Sequence, residues 1–128
     1  IDLTLRAFAR HKLTNPILVA RDGDEALQYV LQWEGGAPLP LLILLDLKLP
    51  KVDGLDVLRQ IKAHPRFRTL PVVILTTSHD DRDVETAYRL GANSYIVKPV
   101  DFDRFMEVAA QLERYWLTLN TPPRKFQA

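Results

Sequence analysis

The sequence predicts an α/β fold in which a doubly wound parallel sheet lies between layers of helices. Three runs of apolar residues have the length of strands, and each is followed by a polar residue; they cover 17–20, 41–45 and 71–75. Runs without polar alternation are typical of strands buried on both faces, as in a parallel sheet. Segments with helical spacing separate these runs, and such alternation produces right-handed parallel crossovers.

Composition excludes several classes of protein. The chain has 128 residues, of which 47% are hydrophobic, and this is enough for one domain with a core. The net charge of +1 indicates no basic face, so we expect no nucleic-acid partner. There is no cysteine, which excludes a disulfide scaffold and a thiolate nucleophile and fits a cytoplasmic location. The longest apolar run is too short to span a membrane, so no membrane partner is expected.

The first half of the chain predicts helix, strand, helix and loop in that order. Residues 1–11 have helical spacing, and 17–20 form a short buried strand. Asp22 can cap the second helix, with Glu25 at the spacing of a capping box. The residues predicted to form the buried stripe of that helix are Ala26, Leu27, Val30 and Leu31. Trp33 is predicted to be partly buried, and 35–40 to form a loop.

The second half predicts three further strand–helix units. The strand at 41–45 ends at Asp46, and Asp53 is expected to cap a helix that begins near Gly54. The strand at 71–75 is followed by a helix capped by Ser78 with Asp81, and Gly91 is expected at its C-cap. The last strand covers 95–97. The final helix covers 101–119, so the predicted domain is 1–119 and the tail 120–128.

Polar side chains at the ends of three strands predict a site. Asp46, Thr76 and Lys98 each follow an apolar strand, and ligands of open parallel sheets bind beyond the carboxyl ends of the strands. A single polar residue in this position most often marks only the point where a strand reaches water. Three of them on successive strands favour a functional site. A carboxylate can act as a nucleophile toward a phosphoryl group, while an ammonium and a hydroxyl stabilise its charge.

Three segments carry a resemblance to bacterial response-regulator receiver domains. LLILLDLKLPKVDGL at 41–55 resembles the family's phosphoacceptor strand and loop, PVVILTTS at 71–78 its fourth strand, and GANSYIVKPV at 91–100 its fifth. The resemblance covers 17–119 and implies a flavodoxin-like (βα)5 sheet with strand order 2-1-3-4-5. The segment YWLTLNTPP at 115–123 is similar to single-domain regulators of bacterial phytochrome histidine kinases.

The resemblance implies a role for each residue of the motifs. Asp46 would be the phosphoacceptor, Thr76 the switch hydroxyl and Lys98 the partner of the phosphoryl oxygens. Tyr95 would be the aromatic switch, which swings inward when Thr76 moves, and Pro99 would follow a cis peptide bond. The backbone carbonyl of Lys48 would join Asp46 in binding Mg²⁺. The implied partner is a sensor histidine kinase, and the implied protein is a phosphoacceptor rather than a classical enzyme.

The family's first strand and the acidic pair that completes its Mg²⁺ site have no match in the sequence. Asp2 matches a position just after that pair. The absent strand lies centrally in the family, so we expect two strand edges to lack partners. The strand could be outside the printed sequence, lost by truncation with misfolding or swapping, or supplied by a partner chain. The first explanation is favoured because the rest of the sequence is locally consistent.

The last helix carries more apolar residues than one sheet face can cover. Its stripe has helical spacing and consists of Phe102, Phe105, Met106, Ala109, Leu112, Trp116 and Leu119. Val108, Tyr115 and Leu117 lie off that stripe. A homodimer through this helix and the tail, or a docked tail, is therefore as well supported as a helix with a few surface apolar residues.

Other functions are weighed against a phosphorylation-controlled receiver. A pseudo-receiver that binds partners without phosphorylation is the main alternative, because the acidic pair has no match. A haloacid-dehalogenase phosphatase would need a D-x-D pattern, and Lys48 occupies the place of its second aspartate. A flavin-binding role would need a phosphate loop after the first strand. His11, His64 and His79 are interpreted as solvated loop residues.

Overall fold

The described part of the chain alternates parallel strands with helices, as the sequence predicts. The computed structural model describes residues 17–49, 53–99 and 101–121. The strands are β1 (Ile17–Ala20), β2 (Leu42–Asp46), β3 (Val72–Thr76) and β4 (Ser94–Val97). The helices are α1 (Gly23–Glu34), α2 (Asp53–Ala63), α3 (Asp81–Arg89) and α4 (Phe102–Arg114), and a π-helical turn, Tyr115–Leu119, follows α4. The helix predicted at 1–11 lies outside the described residues.

The four strands form one parallel sheet in the order β1-β2-β3-β4. This order corrects the expectation of unpartnered edges between the first two strands, because β1 and β2 pair directly along their length, from Ile17 with Leu42 to Ala20 with Leu45. Buried backbone groups without partners are costly, and direct pairing satisfies them. The part of the predicted order that the structure bears out is the succession β2-β3-β4.

Both faces of the two central strands are buried, which confirms the prediction from their unbroken apolar sequence. Successive residues of a strand point to opposite faces, and the core divides accordingly. Ile43 and Leu45 pack in a cluster with residues of α1, α2 and α3. Leu42 and Leu44 pack in a second cluster with Phe105 and Ala109 of α4. Among the described residues, three helices therefore contribute to one face of the sheet, and α4 contributes to the other.

The helix α1 confirms one sequence prediction and corrects another. The Asp22 side chain accepts a hydrogen bond from the Glu25 amide at 2.8 Å, so Asp22 is the N-cap. Leu27 and Leu31, however, are 37% and 58% exposed, so the prediction that they are buried is wrong. The buried stripe is instead Ala26, Val30 and Trp33. Trp33 is fully buried rather than partly, because it packs edge-on against Phe67.

The starts of α2 and α3 also differ from the predicted caps. The helix α2 begins at Asp53 itself, so this carboxylate lies in the first turn instead of preceding it. Asp80 caps α3, and its side chain accepts from the Arg82 amide at 2.8 Å. Ser78 is not the cap, because the helix begins at Asp81 and Ser78 lies too far upstream. Gly91 follows the end of α3 with a φ of 109°, which confirms the predicted glycine stop.

The end of the last helix exposes apolar side chains. Phe105 and Ala109 are buried, whereas Leu119, which the predicted stripe includes, is 61% exposed. Tyr115 is 48% exposed, and Leu117 is also exposed. A π-helical turn fits more residues than an α-helical turn and shifts the apolar stripe around the axis. The continuous helix predicted over 101–119 is therefore an α-helix capped by Asp101 and followed by a π-helical turn.

Candidate functional site

The fold places Asp46, Thr76 and Lys98 at one edge of the sheet. Asp46 is the last residue of β2 and Thr76 is the last residue of β3. The register pairs Thr76 with Val97, so Lys98 follows directly at the same edge. The Lys98 amide donates to the Thr76 carbonyl at 2.7 Å, which extends the pairing beyond the end of β4. The convergence predicted from three successive apolar strands is present in the structure.

A direct ion pair joins two of these residues. The Lys98 Nζ lies 2.5 Å from the Asp46 Oδ1. Asp46 is only 8% exposed, and the Lys98 side chain is also largely buried. A carboxylate removed from water needs a compensating charge, and this ammonium provides it. The same ammonium is placed to stabilise further negative charge that develops on the exposed side of the carboxylate.

Thr76 is fully buried, and its hydroxyl oxygen accepts a hydrogen bond from the Ser78 amide at 3.2 Å. This contact turns the Thr76 side chain toward the loop between β3 and α3. A threonine hydroxyl can also donate a hydrogen bond, so it can serve an anion at the same edge after a rotation about χ1. The hydroxyl predicted from sequence to act at the site is therefore held by the loop in this structure.

Tyr95 lies in β4 and contacts the same loop. Its hydroxyl donates to the Ser78 carbonyl at 2.9 Å, and its ring packs beside the core cluster of α1, α2 and α3. Burial raises the pKa of the Tyr95 phenol above its ordinary value, so the hydroxyl stays protonated and keeps donating at neutral pH. The inward movement expected of Tyr95 stays a prediction, as does the cis peptide bond before Pro99.

Ser78 is a residue of this region that sequence reasoning misread. Its hydroxyl donates to the Asp83 carboxylate at 2.5 Å and accepts from the Asp80 amide at 3.3 Å. Sequence reasoning assigned this hydroxyl to a helix cap, since serine is common at that position. The signal that favours the observed arrangement is the aspartate five residues later, which the first turn of α3 brings back over the loop.

A cavity of about 280 Å³ lies between the loops that follow β1 and β2. It is lined by Arg21, Asp22, Gly23, Asp24, Leu47, Lys48, Asp53 and Gly54. Lys48, whose carbonyl the resemblance assigns to Mg²⁺, is exposed there, two residues after Asp46. Within the described ranges, no three or more acidic, histidine or cysteine residues are grouped as metal ligands. Mg²⁺ favours six oxygen ligands, so these residues supply only part of such a site.

The histidines contribute nothing to this edge of the sheet in the described ranges. His64 stacks on Phe67 with ring centroids 3.9 Å apart, and its Nδ1 accepts from the Arg66 amide. His64 lies in the bend directly after α2, as the interpretation of a loop residue expects, but the stacking leaves it only partly solvated. His79 is exposed, as expected, and His11 lies outside the described residues.

A parallel α/β sheet with a buried Asp–Lys pair at its carboxyl edge, and a threonine on the strand between them, is the arrangement expected of a receiver domain. The family model "Response regulator receiver domain" matches residues 3–110. The chain therefore belongs to the response regulator receiver domain family.

Individual relatives add detail to this assignment. The "Probable methanogenesis regulatory protein FilR2" of Methanothrix harundinacea is 47% identical over 94% of this chain and 79% of its own length. "Response regulator Rcp1" of Synechocystis sp. is 40% identical over 87% of this chain and 77% of its own, and its Mn²⁺-bound structure matches with a TM-score of 0.77. That structural match has 33% identity and covers 94% of this chain and 91% of the other.

A third relative is known in its phosphorylated form. The crystal structure of the phosphorylated cyanobacterial phytochrome response regulator RcpA matches with a TM-score of 0.77 and 35% identity, over 94% of this chain and 88% of that chain. Phytochrome response regulators are thus among the relatives, which confirms the resemblance read from the sequence. In the described part of the chain, no helix has both the length and the apolar character to cross a membrane.

Proposed function

We propose that Asp46 accepts a phosphoryl group from a histidine of a partner kinase and that this modification changes the protein contacts of the domain. The observation that carries the proposal is the buried contact between Asp46 and Lys98 at the carboxyl edge of the sheet. A carboxylate oxygen attacks phosphorus, a P–O bond forms, and the P–N bond of the phosphohistidine breaks with its electron pair left on the imidazole. The product is an acyl phosphate.

Each neighbouring residue has a part in this step. The Lys98 ammonium already faces the carboxylate, and after the transfer it pairs with the phosphoryl oxygens instead of the carboxylate oxygens. Thr76 rotates from its contact with Ser78 and donates its hydroxyl to a phosphoryl oxygen. Tyr95 follows, because its hydroxyl is bound to the same loop. The new charge thus changes the surface formed by α3 and β4.

We propose a sensor histidine kinase of the phytochrome class as the partner, with both proteins in the cytoplasm. The support is that one relative, RcpA, is a cyanobacterial phytochrome response regulator. We further propose that phosphorylation of this chain needs a divalent cation, Mg²⁺ in the cell, bound by Asp46 and the carbonyl of Lys48. Rcp1 has a Mn²⁺-bound form, although the described residues here supply an incomplete set of ligands.

The test is intact-protein mass spectrometry after incubation with a small phosphodonor and Mg²⁺. We expect the mass of one phosphoryl group on the wild-type protein, none on Asp46→Asn, and an unchanged adduct on Asp53→Asn. Asp53 is the matched control because it is an exposed carboxylate in the first turn of α2, the helix that follows the same strand. An adduct that survives Asp46→Asn would contradict the assignment. No adduct on folded wild-type protein would instead favour the pseudo-receiver that binds without phosphorylation.

We also propose that this protein has the strand order that the family resemblance implies. A strand order of 2-1-3-4-5 would place one more strand between β1 and β2, which here pair with each other. We therefore expect the pairing of β1 with β2 to open more readily than that of β2 with β3. Amide hydrogen exchange measures this, with faster exchange expected at Leu44, whose amide faces β1, than at Ile43, whose amide donates to the Pro71 carbonyl just before β3. Equal protection of the two amides would count against the proposal.

A homodimer through the last helix is a second proposal, favoured by the apolar side chains that the π-helical turn exposes. Leu119 and Tyr115 are exposed, and Tyr115, Trp116 and Ile96 help to line a groove of about 410 Å³. Exposed apolar patches of this kind often mark interaction sites. A concentration series in light scattering should give a dimer that Leu119→Glu returns to a monomer, whereas Leu31→Glu on α1 leaves it intact. A monomer at every concentration would end this idea.

A further inference from the structure

Ser78 connects the two predicted switch residues to the helix α3. Its amide donates to the Thr76 hydroxyl at 3.2 Å, and its carbonyl accepts from the Tyr95 hydroxyl at 2.9 Å. Its own hydroxyl donates to the Asp83 carboxylate at 2.5 Å and accepts from the Asp80 amide at 3.3 Å. The backbone of Ser78 therefore holds Thr76 and Tyr95, while its side chain is fixed to α3.

We infer that the Ser78 side chain, through its bond to Asp83, is a positioning residue that keeps Thr76 and Tyr95 in the unphosphorylated arrangement. This inference rests on the proposed function, because it concerns how readily Thr76 turns toward a phosphoryl group on Asp46. Thr76 cannot make that turn and keep its bond from the Ser78 amide. The backbone of Ser78 therefore has to shift or lose that bond, and the anchor to Asp83 resists the shift.

The anchor is well suited to this task. A hydroxyl that donates to a carboxylate makes a charge-assisted hydrogen bond, which is shorter and stronger than a neutral one. Asp83 is itself fixed, since its amide donates to the Asp80 carbonyl at 3.0 Å in the first turn of α3. Ser78 and Asp83 are both half-buried, so water competes only in part for the bond. The neighbouring side chains Thr77 and Asp81 are exposed and serve as matched controls.

The consequence is a mechanical link between the phosphorylation site and α3. When Thr76 moves, the strain reaches Asp83 through Ser78, and the first turn of α3 either follows or releases the hydroxyl. Removal of the anchor shifts the equilibrium between the two arrangements before any phosphoryl group is added. It does so without touching Asp46, Lys98 or the hydroxyls of Thr76 and Tyr95.

The experiment uses the full chain labelled with 3-fluorotyrosine and followed by ¹⁹F NMR. The Tyr95 resonance is assigned with Tyr95→Phe, and its positions in the unphosphorylated and phosphorylated wild-type protein define the two arrangements. Without a phosphodonor, Ser78→Ala and Asp83→Ala should move the resonance toward the phosphorylated position, with about a tenfold rise in the minor arrangement. Thr77→Ala and Asp81→Ala should leave it in place, and Ser78→Thr, which keeps the hydroxyl, should restore it.

The outcomes separate this inference from the proposed function. A wild-type protein that gains no phosphoryl group on Asp46 overturns the proposed function and the inference that rests on it. An adduct on Asp46 with an unmoved Tyr95 resonance in Ser78→Ala and Asp83→Ala overturns the inference alone. Equal shifts in the Thr77 and Asp81 controls also overturn it, because the effect would then not belong to the anchor. Thermal unfolding followed by circular dichroism verifies that each variant is folded.

Discussion

Two partly buried lysines lie at opposite ends of the sheet, and their surroundings differ in kind. Lys98 follows β4 at the carboxyl edge, where its ammonium faces the Asp46 carboxylate at 2.5 Å. Lys62 projects from α2 to the segments that precede β3 and β4. Its Nζ donates to the Leu70 carbonyl at 2.7 Å, the Asn93 Oδ1 at 2.8 Å and the Arg68 carbonyl at 3.2 Å.

The difference lies in the charge of the partners. Lys98 is matched by an opposite charge that is itself the predicted nucleophile, so the pair can be rearranged by a phosphoryl group. The oxygens that Lys62 contacts are neutral, and burial lowers the pKa of Lys62 to about 8. Asn93 Oδ1 also accepts from the Val72 amide at 2.9 Å, so these contacts hold the start of β3. One end of the sheet is therefore arranged for chemistry and the other for stability.

The largest effect should come from exchanging the two lysines for methionine and measuring phosphorylation. Lys98→Met removes the cation that faces Asp46, and we expect the rate of phosphoryl uptake from a small phosphodonor to fall about a hundredfold or more, the range found when an electrostatic stabiliser is removed. Lys62→Met should leave the rate within about twofold, because Lys62 touches none of the reacting atoms. Time-resolved intact mass spectrometry measures both rates. Equal losses of phosphorylation rate in the two variants would contradict the distinction between the two lysines.

The contacts of Lys62 should contribute to the free energy of unfolding, which urea denaturation measures. Lys62→Met leaves the Leu70 carbonyl and Asn93 Oδ1 without their ammonium donor, and we expect a loss of about 2 kcal/mol. The control is Lys48→Met, since Lys48 is exposed and its removal should change stability by no more than about 0.5 kcal/mol. A loss in Lys62→Met as small as in the control would show that its three contacts contribute little.

A glycine beside Lys62 offers a sharper measure of packing at this end. Gly91 has a φ of 109°, and a Cβ added there would lie 2.7 Å from the Lys62 Cγ. Gly36 has a similar φ of 105° with nothing within 4 Å of an added Cβ. Alanine strains the backbone at both sites, so Gly91→Ala should cost about 1 kcal/mol more than Gly36→Ala, the difference being the crowding against Lys62. Equal losses in urea denaturation would mean that the lysine stem moves aside freely.

The sequence predicted the carboxyl edge of the sheet far better than the opposite end. Asp46 and Thr76 end unbroken apolar runs and Lys98 directly follows a third, so their convergence follows from the parallel topology alone. Lys62 gave no such signal, because a lysine in an amphipathic helix is usually solvated and its partner Asn93 lies 31 residues away. The family motifs supplied the roles that topology could not. The residue types of Thr76 and Lys98 allow phosphoryl chemistry, and the surrounding motifs imply which part each residue plays in it.

Other misreadings have the same origin in tertiary contacts. Leu27 fits the spacing of a buried helical stripe, but the axis of α1 turns it toward a groove beside Leu55 and Leu90. Ser78 fits a cap by type, but the helix begins later and Asp83 reaches back to its hydroxyl. Local patterns fix the type of element that forms. They do not fix which side of a helix meets a neighbour, or where the first turn of a helix begins.

The smallest effect expected is a pH dependence of stability that belongs to Lys62. Its pKa is about 8 in the folded chain against 10.5 for the ordinary side chain, so between these values the unfolded chain binds more protons. Stability therefore rises as the pH increases through this window, and the cost of burying the charged form is fully present below pH 8. Because solvent still reaches part of the side chain, we expect a rise of only about 0.5 kcal/mol. Urea denaturation across this pH window should show the rise in stability in the wild-type protein and not in Lys62→Met. Titration of Tyr29 and Tyr95 contributes a background that both proteins share. If the stability of Lys62→Met rises with pH by the same amount, the rise belongs to other groups. If stability falls with pH in the wild-type protein alone, the three oxygens favour the ammonium more strongly than burial opposes it.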